Sequence, residues 1–329
     1  MFTYDIGVDL GTTNTLFYIR KKGIVLNEPT LVAIDKNKVI AVGKEALAMV
    51  GKEPKQISII SPLQEGTIND IDMTELMLKD FLKKLKLKYS VIRPRILISC
   101  PSSISKADKD KLKELLERLG SRKVYIEEEA KVAAIGAGLN ITNPIAHMII
   151  DIGGGTTEIA ILSLNGIVKS TSIKIASNTF EEDIIKYIKD KYKILIGNIT
   201  AKHIKENIIN LNNSTIKQEE IKGKNLITGL PDTLQITSSD LNNSLEKSIN
   251  KIIDAAINVL ESVPPEISAD IVEKGIILTG GGSLIKGIID KMEEQLQVRV
   301  LIAESPLICT IEGIGKLLDE LKYLEEDQQ

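Results

Sequence analysis

The chain has 329 residues, 43% of them hydrophobic, enough apolar material for two domains of ordinary size. Its 42 Lys and Arg against 45 Asp and Glu give a net charge of −3, which excludes a bulk electrostatic pull toward nucleic acid. Cys100 and Cys309, each next to an apolar residue, read as buried thiols of a reducing compartment rather than a disulfide, and neither a signal peptide nor a membrane-spanning run is predicted.

In chain order, the apolar Ile6-Gly7-Val8 runs into Asp9-Leu10-Gly11-Thr12-Thr13-Asn14-Thr15, and Leu16-Phe17-Tyr18-Ile19 leaves it. That pattern predicts strand, turn, strand. Strands are predicted over 30–35 and 39–42 around Lys36-Asn37-Lys38, with a helix over 43–51; segment 30–72 is a small insertion. A helix over 74–87 ends in Lys83-Lys84-Leu85-Lys86-Leu87-Lys88, where cations suit the C-terminal dipole. Residues 96–100 read as a buried strand. Ser105 is the predicted N-cap of the next helix, with Asp108 three residues on. Leu112, Leu115, Leu116 and Leu119 form its apolar stripe, and Gly120 stops it. A short strand over 124–126 then delivers Glu127-Glu128-Glu129 to a helix of small residues over 131–138. Acids there are ordinarily a solvated helix start.

The first pattern recurs at Asp151-Ile152-Gly153-Gly154-Gly155-Thr156-Thr157, between Met148-Ile149-Ile150 and Ile159-Ala160-Ile161-Leu162. The two aspartates are 142 positions apart. Consecutive glycines let backbone approach a ligand and adopt φ > 0, and successive N–H groups make an anion-binding concavity. A third cluster, Leu278-Thr279-Gly280-Gly281-Gly282-Ser283, follows the apolar Gly275-Ile276-Ile277. One such turn is ordinarily a tight hairpin; three in matched settings point to phosphate. None is a Walker A loop or a GxGxxG fingerprint, because the first two lead into strands. A second insertion lies within 165–246, with helices over 180–192 and 200–211 and a loop over 210–215. A long helix over 238–260 ends at Pro264-Pro265, followed by helices over 285–295 and 309–318 and an acidic tail over 325–329. His147 and His203 have no sequence partners of metal type, so zinc is not predicted.

These turns, together with Gly23-Ile24-Val25-Leu26-Asn27-Glu28-Pro29, Arg93-Pro94-Arg95, Ala133-Ala134-Ile135-Gly136-Ala137-Gly138-Leu139, Pro264-Pro265-Glu266 and the stretch 226–231, resemble the actin, sugar kinase and heat-shock chaperone ATPase superfamily. Within it the resemblance is to the MreB family of bacterial actins, over nearly the whole chain. It implies an α/β actin-like ATPase fold: two RNase H-like domains around a nucleotide cleft, each with a smaller inserted subdomain. Domain I would be 1–139 plus 310–329, with an insertion over about 30–72. Domain II would be 140–309, with an insertion over about 176–246. The resemblance also implies ATP or ADP with Mg²⁺. Gly11, Thr12, Thr13, Asn14, Gly153, Gly154, Gly155, Thr156 and Thr157 would cradle the phosphates. Asp9 and Asp151 would hold Mg²⁺ through its waters. Gly280, Gly281, Gly282 and Ser283 would pack on adenosine, and Glu129 with Thr156 would orient the attacking water.

The sequence departs from the family at three places. Ala130 and Lys131 stand where relatives have Pro and an apolar residue, and Lys202 stands where they have a glutamate on the ribose. Lysine has no acceptor; Lys205 and Glu206, on the same helix, are the expected replacements. The implied activity is slow ATP hydrolysis. The implied partners are further copies of the chain in filaments, with paired protofilaments, and other cytoskeletal paralogues or membrane proteins. The implied location is the cytoplasm, with a peripheral contact to the inner face of the membrane through the apolar and basic segment 87–92. The alternatives are a filament subunit that binds ATP and barely hydrolyses it, a sugar kinase, for which no sugar-site signature is found, and a chaperone ATPase, which needs an appended peptide-binding domain.

Overall fold

The computed structural model describes residues 4–36, 38–86, 93–212 and 216–321. Segment 87–92, Asn37, the loop residues 213–215 and the tail 322–329 lie outside the described residues, so the membrane-contact reading and the tail reading are not addressed by it. The chain divides into two compact units. One comprises Met1–Pro144, Leu164–Ile167 and Leu307–Gln329; the other comprises Ile145–Ser163 and Val168–Pro306.

The first unit is built on a five-stranded sheet in the order Lys123–Glu128, Arg95–Cys100, Asp5–Leu10, Asn14–Ile19, Gly23–Pro29. Asp5–Leu10 runs parallel to Arg95–Cys100, which runs parallel to Lys123–Glu128. On its other side Asp5–Leu10 makes an antiparallel hairpin with Asn14–Ile19, which pairs antiparallel with Gly23–Pro29. The second unit repeats this layout as Gly166–Ile173, Thr157–Ser163, His147–Ile152, Ile276–Thr279, Val300–Ile302. His147–Ile152 forms an antiparallel hairpin with Thr157–Ser163 and runs parallel to Ile276–Thr279, which runs parallel to Val300–Ile302. The physical cause is the same in both. A sheet covered on both faces takes continuous apolar strands, and Met148, Ile149, Ile150, Ile159, Ala160, Ile161 and Leu162 are all fully buried. In each unit the first strand therefore ends in a hairpin turn, with its aspartate near the strand's carboxyl end.

Each unit carries a three-stranded antiparallel sheet inside an insertion: Lys38–Val42, Val32–Asp35 and Ile57–Ile60 in the first, and Ile194–Leu195, Gln218–Asn225 and Pro231–Thr237 in the second. The last two strands and the hairpin Leu63–Gln64 with Thr67–Ile68 were not predicted. The helix expected over 43–51 is a single turn, Lys44–Leu47. The helix expected over 74–87 runs Ile71–Lys84, because Asp70 caps it by accepting the Met73 N–H at 3.0 Å. Ser105 caps Lys106–Arg118 as predicted, accepting the Asp108 N–H at 3.1 Å. The strand before the acidic triplet continues through Glu128, so Glu129 alone of the three lies in the helix Glu129–Gly136. The third glycine cluster itself forms a short 3₁₀ segment, Gly281–Leu284, ahead of the helix Ile288–Leu296.

The helix Glu129–Gly136 is held by the C-terminal helix Cys309–Asp319 at a backbone-to-backbone crossing. A Cβ on Gly136 would lie 1.8 Å from the Cys309 carbonyl oxygen, and one on Gly313 would lie 1.9 Å from that of Val132. Lys316 completes the contact by donating at 2.8 Å to the Ile135 carbonyl, which also accepts the Gly138 N–H at 3.1 Å. Gly313→Ala must separate the helices and should cost about 1–3 kcal/mol, the usual range for overpacking. Urea unfolding of this variant should show a lowered midpoint with an unchanged slope; an unchanged midpoint would mean that the crossing yields without strain.

Candidate functional site

The two matched turns share one hydrogen bond. The Gly11 N–H donates to the Asn14 carbonyl at 3.1 Å, and the Gly153 N–H donates to the Thr156 carbonyl at 2.9 Å. In both, the donor lies two residues after the aspartate. A Cβ on Gly11 would meet the Asn14 oxygen at 2.7 Å, and one on Gly153 would meet the Thr156 oxygen at 3.1 Å. Close approach is thus the reason for glycine here. The sequence reading also invoked φ > 0, and that part is corrected: Gly11, Gly153, Gly154 and Gly155 are absent from the positive-φ glycines, whereas Gly280 has φ 80°.

A threonine six residues after each aspartate locks the outgoing leg. Thr30 donates to the Gly11 carbonyl at 2.7 Å, so the 2.9 Å contact between Thr15 and Thr30 is donated by Thr15. In the second unit the Thr157 hydroxyl donates to the Ile175 carbonyl at 2.6 Å. The Thr12 hydroxyl accepts the Gly66 N–H at 3.2 Å. Thr13 is exposed, and Asn14 donates from its amide to Asn27 at 2.7 Å.

The second turn sits at a helix N-terminus. Ser177 and Asn178 donate their N–H groups to the Gly153 and Gly154 carbonyls at 3.1 and 2.9 Å, at the start of the helix Ser177–Tyr192. The positive end of that helix dipole therefore lies beside the turn, an arrangement that favours anions. The third cluster packs directly on the end of the Asp151 strand. A Cβ on Gly280 would lie 2.3 Å from both Asp151 Oδ1 and the Ile152 carbonyl, and one on Gly282 would lie 2.2 Å from Ile152 Cγ2. Ser283 is buried and donates to the Gly280 carbonyl at 2.6 Å. The structure thus brings Asp151, Gly153–Thr157 and Gly280–Ser283 to one end of one sheet.

Asp9 and Gly11–Asn14 occupy the equivalent end of the first sheet. Desolvation pushes the Asp9 carboxyl up from 3.8 to about 7, although the residue keeps partial surface exposure. Asp151 is buried at the corresponding position. Glu129 is half-buried in the first turn of its helix; Lys131 turns back toward Glu127, with the charged groups 3.6 Å apart.

Lys205 and Glu206 part company. Lys205 is buried, and its ammonium donates to Glu181 at 2.6 Å. Glu206 is exposed and faces Lys202 at 3.9 Å. Glu181 was missed in the sequence because Glu181-Glu182-Asp183 has the look of any solvated helix start.

Two sheets of this order, each ending its first strand in an aspartate and a glycine-pinned turn, define the actin-like ATPase fold. The MreB/Mbl protein family model matches residues 3–326. The chain is 47% identical to the cell shape-determining protein Mbl of Bacillus subtilis over 327 residues, 98% of each chain. It is 39% identical to the cell shape-determining protein MreB of Escherichia coli over 328 residues, 97% of this chain and 94% of that one. The chain belongs to the MreB/Mbl family. The crystal structure of MreB 5 of Spiroplasma citri bound to AMPPNP matches with a TM-score of 0.96 at 39% identity, covering 100% of both chains. The MamK double helical filament matches with a TM-score of 0.82 at 22% identity, a likeness of fold. Among the described residues, no helix is long and apolar enough to cross a membrane.

The raised Asp9 pKa makes a stability prediction. Between about pH 4 and 7 the folded protein holds a proton at Asp9 that the unfolded chain has released, so rising pH costs stability through this group. Asp9→Asn should therefore raise the melting temperature of nucleotide-free, magnesium-free protein above pH 7, with the gain fading below pH 4. A melting-temperature difference that is the same at pH 4 and pH 8 would contradict a desolvated Asp9.

Proposed function

We propose that this chain binds ATP and ADP with Mg²⁺, hydrolyses ATP slowly, and polymerises into filaments that serve cell shape. The observation that carries the nucleotide reading is the shared bond of Gly11 to Asn14 and Gly153 to Thr156, set beside Asp9 and Asp151 on equivalent strands. Family membership supports it: structures of MreB5 of Spiroplasma citri hold AMPPNP and ADP, and the curated relatives are named for cell shape. The backbone N–H groups of the two turns would bind phosphate oxygens, strengthened in the second by the helix Ser177–Tyr192. Asp9 and Asp151 fit Mg²⁺: both are carboxylates, and the desolvated Asp9 would gain from a cation that favours its charged form. When bound, Mg²⁺ would offset negative charge on the phosphates.

Hydrolysis would be in-line attack of water on the terminal phosphate, with Glu129 and Thr156 orienting the water. Removing an orienting group damages the chemical step more than ground-state binding. Glu129→Ala and Thr156→Ala should each lower phosphate release by about 10²-fold or more, the lower range for a positioned acid or base. Both should keep near-normal ATP affinity, and Glu128→Ala should change little because Glu128 ends a strand. A loss confined to Glu128→Ala would move the assignment by one residue. Lys131, engaged with Glu127 in place of an apolar residue, favours the slow end of this reading and a subunit that uses ATP mainly as a ligand.

Self-association is the partner this reading names. Pelleting and electron microscopy with ATP and Mg²⁺, at tens of micromolar protein as an order of magnitude for micromolar interfaces, should show polymer that is reduced without nucleotide. Absence of polymer under both conditions would leave a monomeric nucleotide-binding protein.

A further inference from the structure

We propose that Glu28 straps the first turn to the first insertion, so that occupation of the turn by phosphate is registered at the backbone of the one-turn helix Lys44–Leu47. The proposal rests on the nucleotide reading above and adds to it a residue that has no role there.

Segment 27–30 is bound to the turn on one side. Asn14 donates from its amide to Asn27 at 2.7 Å, the Thr30 N–H donates to the Thr13 carbonyl at 2.9 Å, and the Thr30 hydroxyl donates to the Gly11 carbonyl at 2.7 Å. Glu28 lies within this segment, opposite Thr15 in the antiparallel pairing of Asn14–Ile19 with Gly23–Pro29. On its other side the segment reaches the insertion. Glu28 Oε2 accepts the Lys44 N–H at 2.7 Å, and the Leu31 carbonyl accepts the Gly43 N–H at 3.0 Å. Gly43 is buried, and a Cβ there would collide with the same Glu28 oxygen while lying 3.1 Å from Phe81 Cε1. The carboxylate is thus seated directly on insertion backbone, with no room for a side chain between them.

The chemistry of the bond is the second support. The first N–H groups of a helix have no partner within it, and a Ser, Thr, Asp or Asn just before the helix ordinarily supplies the acceptor. Here that position is Gly43, with φ 65° and no side chain to accept. A local cap would hold the helix with no tie elsewhere. The acceptor comes instead from 16 positions earlier in the chain, on a segment whose neighbours hold the carbonyls of the turn. Hydrogen bonds to a charged group are among the stronger ones in a protein. Phosphate bound by the turn's N–H groups limits the local opening of the turn, and the strap extends that limit to Lys44. What the strap holds is surface: Leu47 on the helix and Ile40 on the preceding strand, Lys38–Val42, are 45% and 46% exposed.

The test is hydrogen–deuterium exchange on the full chain, with and without ADP and Mg²⁺, at protein concentrations below polymerisation. In wild type ADP should slow exchange of the amides over 11–14 and, through Glu28, of those over 43–47 by about 5-fold or more, the lower range of coupling between sites. Glu28→Gln should respond as wild type does, because its amide oxygen still accepts. In Glu28→Ala the amides over 11–14 should still respond to ADP, while those over 43–47 exchange at one rate with and without it. A purely structural bond would raise that rate and leave the ADP response in place. Gly43→Ala, which displaces the carboxylate from the insertion side, should lose the response over 43–47 in the same way, and it decides the matter where Glu28→Ala does not fold. An ADP effect confined to 11–14 in wild type overturns the proposal and leaves the nucleotide reading intact. So does a response over 43–47 that is retained in Glu28→Ala or Gly43→Ala, or lost in Glu28→Gln. Failure of wild type to bind ADP by calorimetry overturns the nucleotide reading and this proposal with it.

Discussion

The structure depends on one backbone constraint used twice: a glycine N–H, two residues past a strand-ending aspartate, closes a turn on the carbonyl three residues ahead. The bond is short enough that a side chain on the glycine would collide with the very oxygen it binds. A threonine hydroxyl then fixes the outgoing strand, through Thr30 in one unit and Ile175 in the other. The remaining features are consequences. The aspartate is held at the mouth of the turn because it belongs to the buried central strand. The turn cannot open without breaking the hairpin that forms the middle of the sheet.

The charge pattern follows from the same geometry. A carboxylate at the end of a covered strand loses solvent, and Asp9 responds with a pKa near 7. The second turn has the N-terminus of the helix Ser177–Tyr192 against it, so positive potential accumulates where carboxylate and backbone donors meet. Under the proposed nucleotide reading, a cation beside Asp9 would offset the desolvation of its carboxylate.

Much of this was legible in the residues because the signals were local and repeated. The Asp-aliphatic-Gly turns follow continuous apolar strands, and Ser105 with Asp108 is a cap written in four residues. Other features needed tertiary contacts. The acidic triplet splits between strand and helix because Lys123–Glu128 pairs in full register with Arg95–Cys100, and no propensity distinguishes three glutamates. The strands Gln218–Asn225 and Pro231–Thr237 are rich in charged and polar residues, with most positions exposed or half-exposed, so their alternation was faint. Glu181 could not be singled out until folding brought Lys205 to it from 24 positions away.

The two turns are matched in backbone but not in what supports them, and that difference has a direction. The second is backed by a helix of 16 residues whose first N–H groups bond its carbonyls. The first is supported differently. Its Thr12 hydroxyl instead accepts the Gly66 N–H, from the tight turn of the small hairpin Leu63–Gln64 with Thr67–Ile68, where Gly66 has φ 73°. A helix N-terminus is a stiff support, because every peptide in it is tied to the next turn. A two-residue hairpin is a soft one. In the proposed nucleotide-binding role, movement of the first turn would be passed to a light surface element of the same unit more readily than movement of the second. The duplicated motif thus yields one turn anchored on a helix and one coupled to an insertion.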